Sequence, residues 1–560
     1  MTRRLLLLVL AVATLSCGAA AAQSESPRSE SPRANRGGNG GDASSPPLSV
    51  SVSVSTDTAL VHVLRRVTYG PRPGDLERVK AVGLAAWLER QLQPERIDDS
   101  GVERDLAALP TLGMSIAELQ RAYPRPDPAM REKLARGDMS PREMREQYPM
   151  DKRPARIVGE LQTARMLRAV ATERQLQEVM VDFWLNHFNV FAGKGELRWY
   201  LTDWERTVIR PHALGRFPAL LRASARHPAM LFYLDNWLST RPDFVRRGGP
   251  DQGRRAGLNE NYARELMELH TLGVDGGYTQ RDVTEVARAF TGWTIDRPRQ
   301  EARFVFRSAT HDYGPKVVLG RTIQGGGKRD GEAILDMLAR HPSTARFLAG
   351  KLVRRFVADD PPPALVERVA ARYQETNGDI RAMLRVIFAS PEFLAPDAVG
   401  AKIKKPTEFV VSAVRAVGAT PDARGAFALA RASAEIGEGL YEAQPPTGYP
   451  DRAEAWVNPG ALLGRMNFAL ALTEGRVAGV RVDVGALLAG ADRQRPDAVL
   501  ERLLAALIYG EASAGTRAVL IAQLGAPEIT RLSPDDRGPA NTDVNKLAAL
   551  VLGSPEFQRR

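Results

Sequence analysis

The chain contains a single cysteine among its 560 residues, and that residue, Cys17, lies close to the start of the sequence. It falls in a stretch with the order of a signal peptide: the basic pair Arg3 and Arg4, an apolar core at Leu5–Leu15, and small residues that end at Ala22. Cleavage after Ala22 leaves a mature chain without cysteine. A chain without cysteine cannot form disulfides and cannot contain a thiol nucleophile or a thiolate metal site.

Long apolar runs are also missing beyond residues 1–22, the predicted signal peptide. No later stretch approaches the roughly 18 apolar residues of a membrane span. Residues 23–57 are rich in Ser, Pro and Gly and contain the sequence SESPR twice. Because this composition buries too little apolar surface to offset its ordering entropy, we interpret it as a disordered linker. We therefore expect an exported protein, periplasmic or extracellular, with a lipoprotein anchored at Cys17 as the alternative.

Aromatic residues are scarce, at 6% of the chain, and they do not interleave with the basic residues that produce the net charge of +11. The arginines are spread along the sequence, which has no nucleic-acid-binding motif. A basic exported protein is attracted to anionic polymers. The partners that we expect are therefore another exported protein or an envelope polymer, with no nucleic acid and no transmembrane span after signal cleavage.

The familiar catalytic motifs are absent too: there is no nucleophile elbow, no HExxH pair and no pair of cysteines. The 44% of hydrophobic residues lie largely in stripes at helical spacing. This pattern predicts a mainly α fold, a multi-helix assembly of helical hairpins, with one small β-hairpin near residues 303–323. We place the main helical domain at residues 58–400 and a C-terminal helical region, packed on the first, at residues 401–560.

The densest run of polar side chains is Leu258–Trp293, which has the pattern of two helices joined by a Gly-rich turn. Asn259 is a suitable N-cap for the first helix, and Gly273 supplies the left-handed residue that ends it. Thr279 with Asp282 three residues later predicts a capping box for the second helix. The local signals therefore agree on a helical hairpin.

The first helix of this hairpin offers several side chains that could carry chemistry. They are Glu260, Asn261, Arg264, Glu265 and His270. One interpretation is a surface ion-pair ladder, because Glu260, Arg264 and Glu268 follow at four-residue spacing and share one face. The other interpretation is a functional site that is completed by residues from elsewhere in the chain.

A further helix, predicted at Thr172–Phe191, places His187 on its apolar stripe. A histidine there is either a core residue with one satisfied hydrogen bond or, with Asn186, part of an internal polar pocket. In such a pocket a neutral imidazole can act as a base or a ligand. Five other residues belong either to caps and turns or to the same pocket. They are His227, Asp235, Asn236, His311 and Asp312.

Several of these segments together resemble a known family. They are Phe183–Asn189 (FWLNHFN), His227–Trp237, Leu258–Trp293, the pair His311 and Asp312, and Pro445–Pro450 (PPTGYP) with Trp456. They are similar to the motifs of the bacterial exported domain-of-unknown-function eighteen-hundred family. The resemblance extends from about Ala59 to the C-terminus. It implies an exported, mainly helical protein and leaves the activity open.

Two hypotheses of function remain. The first is a helical binding or scaffold protein of the cell envelope. The second is a hydrolase of an envelope or extracellular substrate, either metal-dependent or acting by acid/base catalysis. The candidate catalytic residues are Glu265, His270 and His187, pooled in one pocket with His227, Asp235 and His311. The sequence assigns no cofactor and no metal ligand. The cofactor that we consider is a divalent metal bound by converging histidines.

Overall fold

Helices make up most of the computed structural model, which describes residues 57–245, 257–524, 530–531 and 541–560. The predicted signal peptide and nearly all of the predicted linker lie outside these residues. The first helices are α1 Asp57–Val67, α2 Asp75–Val82, α3 Leu84–Gln91, α4 Ser100–Leu106, α5 Ile116–Ala122, α6 Pro128–Arg136, α7 Pro141–Gln147, α8 Ala155–Ala171, α9 Gln175–His187, α10 Leu197–Asp203, α11 Arg210–His212, α12 Phe217–Arg226 and α13 Pro228–Tyr233. A π-helical segment, Trp204–Ile209, joins α10 to α11.

The remaining helices follow in the same manner. They are α14 Asn261–Glu268, α15 Gln280–Phe290, α16 Lys328–Ala339, α17 Pro342–Phe356, α18 Pro363–Thr376, α19 Ile380–Phe388, α20 Pro391–Leu394, α21 Pro406–Ala416, α22 Ala423–Ile436, α23 Pro459–Thr473, α24 Pro496–Ile508, α25 Ala514–Leu524, α26 Val544–Leu552 and α27 Pro555–Gln558. The mainly α class predicted from the sequence is confirmed.

The strands are short and form two-stranded antiparallel pairs. They are β1 Trp293–Asp296 with β2 Arg303–Phe306, β3 Lys316–Val318 with β4 Arg321–Ile323, β5 Thr420–Pro421 with β6 Val480–Arg481, and β7 Thr530–Arg531 with β8 Asn541–Thr542. In the first pair Trp293 lies opposite Phe306, and in the second Lys316 lies opposite Ile323.

The region near residues 303–323, predicted as one hairpin, therefore contains strands of two hairpins. The alternating sequence after residue 302 identified β2 but not its partner, which is the preceding strand β1. The turn between them contains Arg297 and Ala302 at positive φ, 45° and 47°. Because neither is glycine, the sequence lacks the residue that usually marks a position of positive φ.

The hairpin predicted within Leu258–Trp293 consists of α14 and α15. Asn259 accepts the backbone N–H of Asn261 at 2.8 Å. It lies two residues before the start of α14, one residue earlier than a cap that directly precedes the helix. The capping box of α15 forms as predicted: Thr279 accepts the N–H of Asp282, and Asp282 accepts the N–H of Thr279. The two helices pack through buried apolar faces, and Tyr262 meets the ring of Phe290 edge-on at 5.1 Å.

One apolar core runs through both predicted regions of the chain, from Val63 to Phe557. Helix α8 packs along α22, which brings the segment after residue 400 against the first half. The fully buried tryptophans Trp184 and Trp204 lie in this core. Among the described residues, none of the helices has the length and apolar character needed to span a membrane.

Candidate functional site

The segment Phe183–Asn189 lies directly against the loop Pro445–Pro450. Asn186 holds this loop with both atoms of its amide: Nδ2 donates to the carbonyl oxygen of Tyr449 at 2.7 Å, and Oδ1 accepts the N–H of Tyr449 at 2.7 Å. One turn later, Asn189 Nδ2 donates to the carbonyl oxygens of Ala443 and Pro445 at 2.9 and 2.8 Å. The two asparagines thus replace backbone pairing for a loop that has no strand beside it.

Gly448 allows the loop to approach α9 this closely. Its φ is +69°, and a Cβ atom at this position would lie 2.5 Å from the carbonyl oxygen of Asn186. Both the backbone conformation and the close approach therefore require glycine here. The sequence PPTGYP is explained by this contact, since its glycine is the residue that faces the helix.

His187 follows Asn186 in α9 and is buried, with 2% of its surface exposed. Its Nε2 lies 3.1 Å from the carbonyl oxygen of His270, and its Nδ1 lies 2.9 Å from Nζ of Lys351. A carbonyl oxygen only accepts, so Nε2 carries the proton and Nδ1 is left as the acceptor for the lysine. Burial, then Lys351, then His270 lower the pKa of His187 well below its usual value, so the ring is neutral.

Lys351 lies on α17 and points its amine at this neutral ring. Burial lowers the pKa of Lys351 to about 8; the Asp451 carboxylate opposes this shift, and the Arg354 guanidinium adds to it. A substantial fraction of the amine is therefore neutral near pH 8. Such an amine can act as a base or a nucleophile, which an ordinary lysine ammonium cannot.

His187 and Lys351 face a cavity of about 260 Å³ between α9, α17 and the loop. Its lining contains more basic than acidic side chains. The basic ones are Lys351, Arg354, Arg355, Lys405 and Arg452, and the carboxylates are Asp182 and Asp451. Arg355 pairs with Glu408 outside the cavity, and Arg452 pairs with Asp360 at 3.2 Å. Among the described residues, Arg354 donates only to the backbone oxygen of Asp359, so its charge is available to the cavity.

A buried ion network forms one wall of the cavity. Asp182 of α9 lies 3.0 Å from Arg165 of α8 and 3.0 Å from Lys405, just before α21. Lys405 also contacts Glu438 at 2.9 Å. Burial alone would raise the pKa of Asp182, but the Lys405 and Arg165 cations outweigh it, and the pKa is lowered. The network fixes the segment after residue 400 against the helices that carry His187.

The predicted pool of histidines and carboxylates converges only in part. The rings of His187 and His270 lie 6.2 Å apart, and burial first, then Lys351, lowers the pKa of His270 to about 3. Glu265 lies on α14, five residues before His270, but does not line the cavity. Burial and the neighbouring Glu268 raise its pKa. The structure thus brings His187 and His270 together and leaves Glu265 outside the cavity.

The other two histidines of the pool have local partners instead. His227 caps α13, with Nε2 3.0 Å from Asp203, and its Nδ1 accepts the N–H of Ala229 at 3.1 Å. His311 is fully buried, with Nε2 3.2 Å from Asp330. Neither residue lines the cavity beside His187. Their positions correspond to the structural alternative considered for them, in which they stabilise caps and turns.

The remaining polar candidates also bind the surrounding chain. Asp235, at φ +60°, pairs with Lys194 at 2.8 Å. Asn236 donates to backbone oxygens at the end of α15 and in β1, at 3.3 and 3.0 Å. Asp312 binds Arg288 at 2.8 Å. These contacts hold the hairpins onto the helices and lie outside the cavity lining.

Of the ion-pair ladder considered for α14, the Glu260–Arg264 pair forms, whereas Glu268 accepts a hydrogen bond from the Tyr278 hydroxyl at 3.2 Å. Glu260 and Arg264 are 3.8 Å apart, and each also binds a side chain of α15. Asn261 donates weakly to the carbonyl oxygen of Leu234 at 3.4 Å. Glu260, Arg264 and Asn261 lie outside the cavity lining.

The metal hypothesis depends on a cluster of donors. Within the described residues, no group of three or more His, Asp, Glu or Cys side chains is placed to hold a metal ion. Sequence reasoning did not single out Lys351, Arg354 or Asp451. A signal was present, because Lys351, Arg354 and Arg355 follow at i, i+3 and i+4 and therefore share one face of a helix.

The described structure defines a helical protein in which a basic pocket lies where α9, α17 and the Pro445–Pro450 loop meet. The chain belongs to the family described as protein of unknown function (DUF1800), whose family model matches residues 62–559. This is the family that the motifs resemble. No curated protein and no solved structure matches the chain.

Proposed function

We propose that this protein is an exported binding protein of the cell envelope whose pocket holds a compact anionic group. The observation that carries the proposal is Arg354, which lines the cavity and makes no ion pair with any described carboxylate. A guanidinium presents a planar fork of donors that matches carboxylates, phosphates and sulfates. The partly neutralised Lys351 beside it adds a second donor for the same anion.

The size of the cavity limits the ligand. At about 260 Å³ it lies just below the roughly 300–1,000 Å³ of pockets for drug-sized ligands. A single acidic unit of an envelope polymer, such as one uronate or one phosphorylated or sulfated sugar, has a suitable size. The signal-peptide pattern at residues 1–22 and the net charge of +11 support an envelope location near anionic polymers.

Titration calorimetry with glucuronate, glucose 6-phosphate and neutral glucose tests this proposal. We expect at least one of the anions to bind, and glucose to bind at least tenfold more weakly. Arg354→Gln should weaken the anion by about 10- to 100-fold, because it removes a charge-assisted hydrogen bond of roughly 1.5–3 kcal/mol. Preference between the two anions then assigns the ligand as a carboxylate or a phosphate ester.

The matched control is Arg346→Gln, on the same helix. Arg346 is exposed and pairs with Glu367 at 3.2 Å, outside the cavity lining. This variant should bind the anion as the native protein does. Equal binding of glucose and the anions, or an unchanged affinity in Arg354→Gln, would contradict an anion site at Arg354.

A further inference from the structure

Lys351, which is partly exposed, differs from the buried lysines of the described chain. Three of them contact a carboxylate at 3.0 Å or less; they are Lys316, Lys402 and Lys405. Lys404 places its amine 3.6 Å from the centroid of the Phe557 ring, beside a space of only about 10 Å³. Unlike these four lysines, Lys351 combines a neutral hydrogen-bond partner, Nδ1 of His187, with an opening onto a large cavity.

The helix also places a cation beside this amine. Lys351 and Arg354 are three residues apart on α17, so their Cβ atoms are neighbours at roughly 5–6 Å on one face. Because both side chains line the same cavity, a ligand whose carboxylate binds Arg354 has its neighbouring carbon atom on the side of the cavity that holds the Lys351 amine. The ligand with an electrophilic carbon at that position is a 2-oxo acid, in which a carbonyl adjoins the carboxylate.

We propose that Lys351 is a nucleophile that forms a Schiff base with a 2-oxo acid whose carboxylate is held by Arg354. This inference rests on the anion-binding role proposed above and names a substrate class for the same pocket. His187 is a positioning residue in this scheme, because its Nδ1 accepts an amine hydrogen and orients the nitrogen lone pair. Desolvation and an adjacent cation are the two known ways to activate a lysine for this chemistry.

The reaction balances without an oxidant or a second substrate. The lone pair of Nζ forms a bond to the carbonyl carbon, and the carbonyl oxygen receives one of the two amine protons. The C–O bond of the resulting carbinolamine then breaks, and the remaining amine proton leaves with the hydroxyl group as water. One neutral amine and one carbonyl thus give one imine and one water.

Reductive trapping tests the proposal on the full mature chain. The protein is incubated with pyruvate and sodium cyanoborohydride near pH 8, and adducts are located by peptide mass spectrometry. We expect one reduced pyruvate adduct, confined to Lys351 and absent in Lys351→Arg. Acetone, which has the carbonyl but no carboxylate, should label Lys351 at least tenfold more slowly.

Two variants separate the roles of the neighbouring residues. Arg354→Gln should slow pyruvate labelling about tenfold or more and slow acetone labelling to a clearly smaller extent, because loss of the guanidinium also raises the pKa of Lys351. Arg346→Gln should change neither. Circular dichroism confirms that each variant is folded. Pyruvate labelling spread over surface lysines, or no adduct at Lys351 in a protein that still binds glucuronate or glucose 6-phosphate, overturns the Schiff-base proposal. The second result leaves the binding proposal standing, so the two failures are distinguishable.

Discussion

Asp182→Ala is expected to lower the free energy of unfolding by about 3–5 kcal/mol, the usual cost of breaking a buried ion pair from one side. Asp182 is 8% exposed and binds two buried cations, Arg165 and Lys405, each at 3.0 Å. Lys405 keeps Glu438 at 2.9 Å, so Arg165 is the cation left without its carboxylate partner. Chemical denaturation at neutral pH measures the loss.

Glu367→Ala is the matched control for this experiment. Glu367 pairs with Arg346 at 3.2 Å, and both side chains are more than half exposed. Surface pairs of this kind contribute about 0–1 kcal/mol, so this variant should remain close to the native stability. If Asp182→Ala lost no more stability than Glu367→Ala, the buried network would not fix the two regions of the chain together.

The second large effect is a loss of stability in mild acid. Burial is the first cause that lowers the pKa of His62 and of His270 to about 3, and it also lowers the pKa of His187. In each case the folded pKa lies below the unfolded value of 6.5. Below pH 6.5 these histidines therefore bind protons in the unfolded chain but not in the folded chain, and the free energy of unfolding falls as the pH falls.

The size of this effect follows from linkage. Each histidine that is protonated in the unfolded state and neutral in the folded state lowers the free energy of unfolding by about 1.4 kcal/mol per pH unit. Three such histidines lower it by about 4 kcal/mol between pH 6 and pH 5. Urea denaturation at pH 7.5, 6 and 5 measures this slope. His62→Gln keeps a donor for the carbonyl oxygen of Phe393, 2.8 Å from Nε2 in the native protein, and should flatten the slope by about a third. A stability that is constant from pH 7.5 to pH 5 would show that these histidines protonate freely in the folded protein.

Local sequence patterns predicted the helix that carries His187, but they could not predict which other helix meets it at the pocket. The apolar stripe of the Thr172–Phe191 segment placed His187 on a buried face, and His187 is buried in α9. Its partner Lys351 lies 164 residues away along the chain, in α17. Contacts at that separation come from tertiary packing, which the local patterns of a single sequence do not reveal.

The histidine motifs likewise did not reveal which histidine faces the pocket. His227 and His311 lie in segments as distinctive as that of His187, yet each binds a carboxylate of its own region, Asp203 and Asp330. A histidine pattern thus marked polar contacts without separating those that open onto a cavity from those that stabilise turns. What separates them is the free volume beside the ring, and residue spacing carries no information about that volume.

The proposed chemistry requires that the Lys351 amine faces the pocket and loses its proton near pH 8. This requirement is tested most directly by the pH dependence of acetylation of that amine with trace acetic anhydride, followed by peptide mass spectrometry of the folded native protein. We expect a midpoint near pH 8 for the peptide that contains Lys351, well below the roughly 10.4 of an ordinary lysine. A midpoint at the ordinary lysine value, or no acetylation of Lys351 at any pH at which the protein is folded, would contradict it.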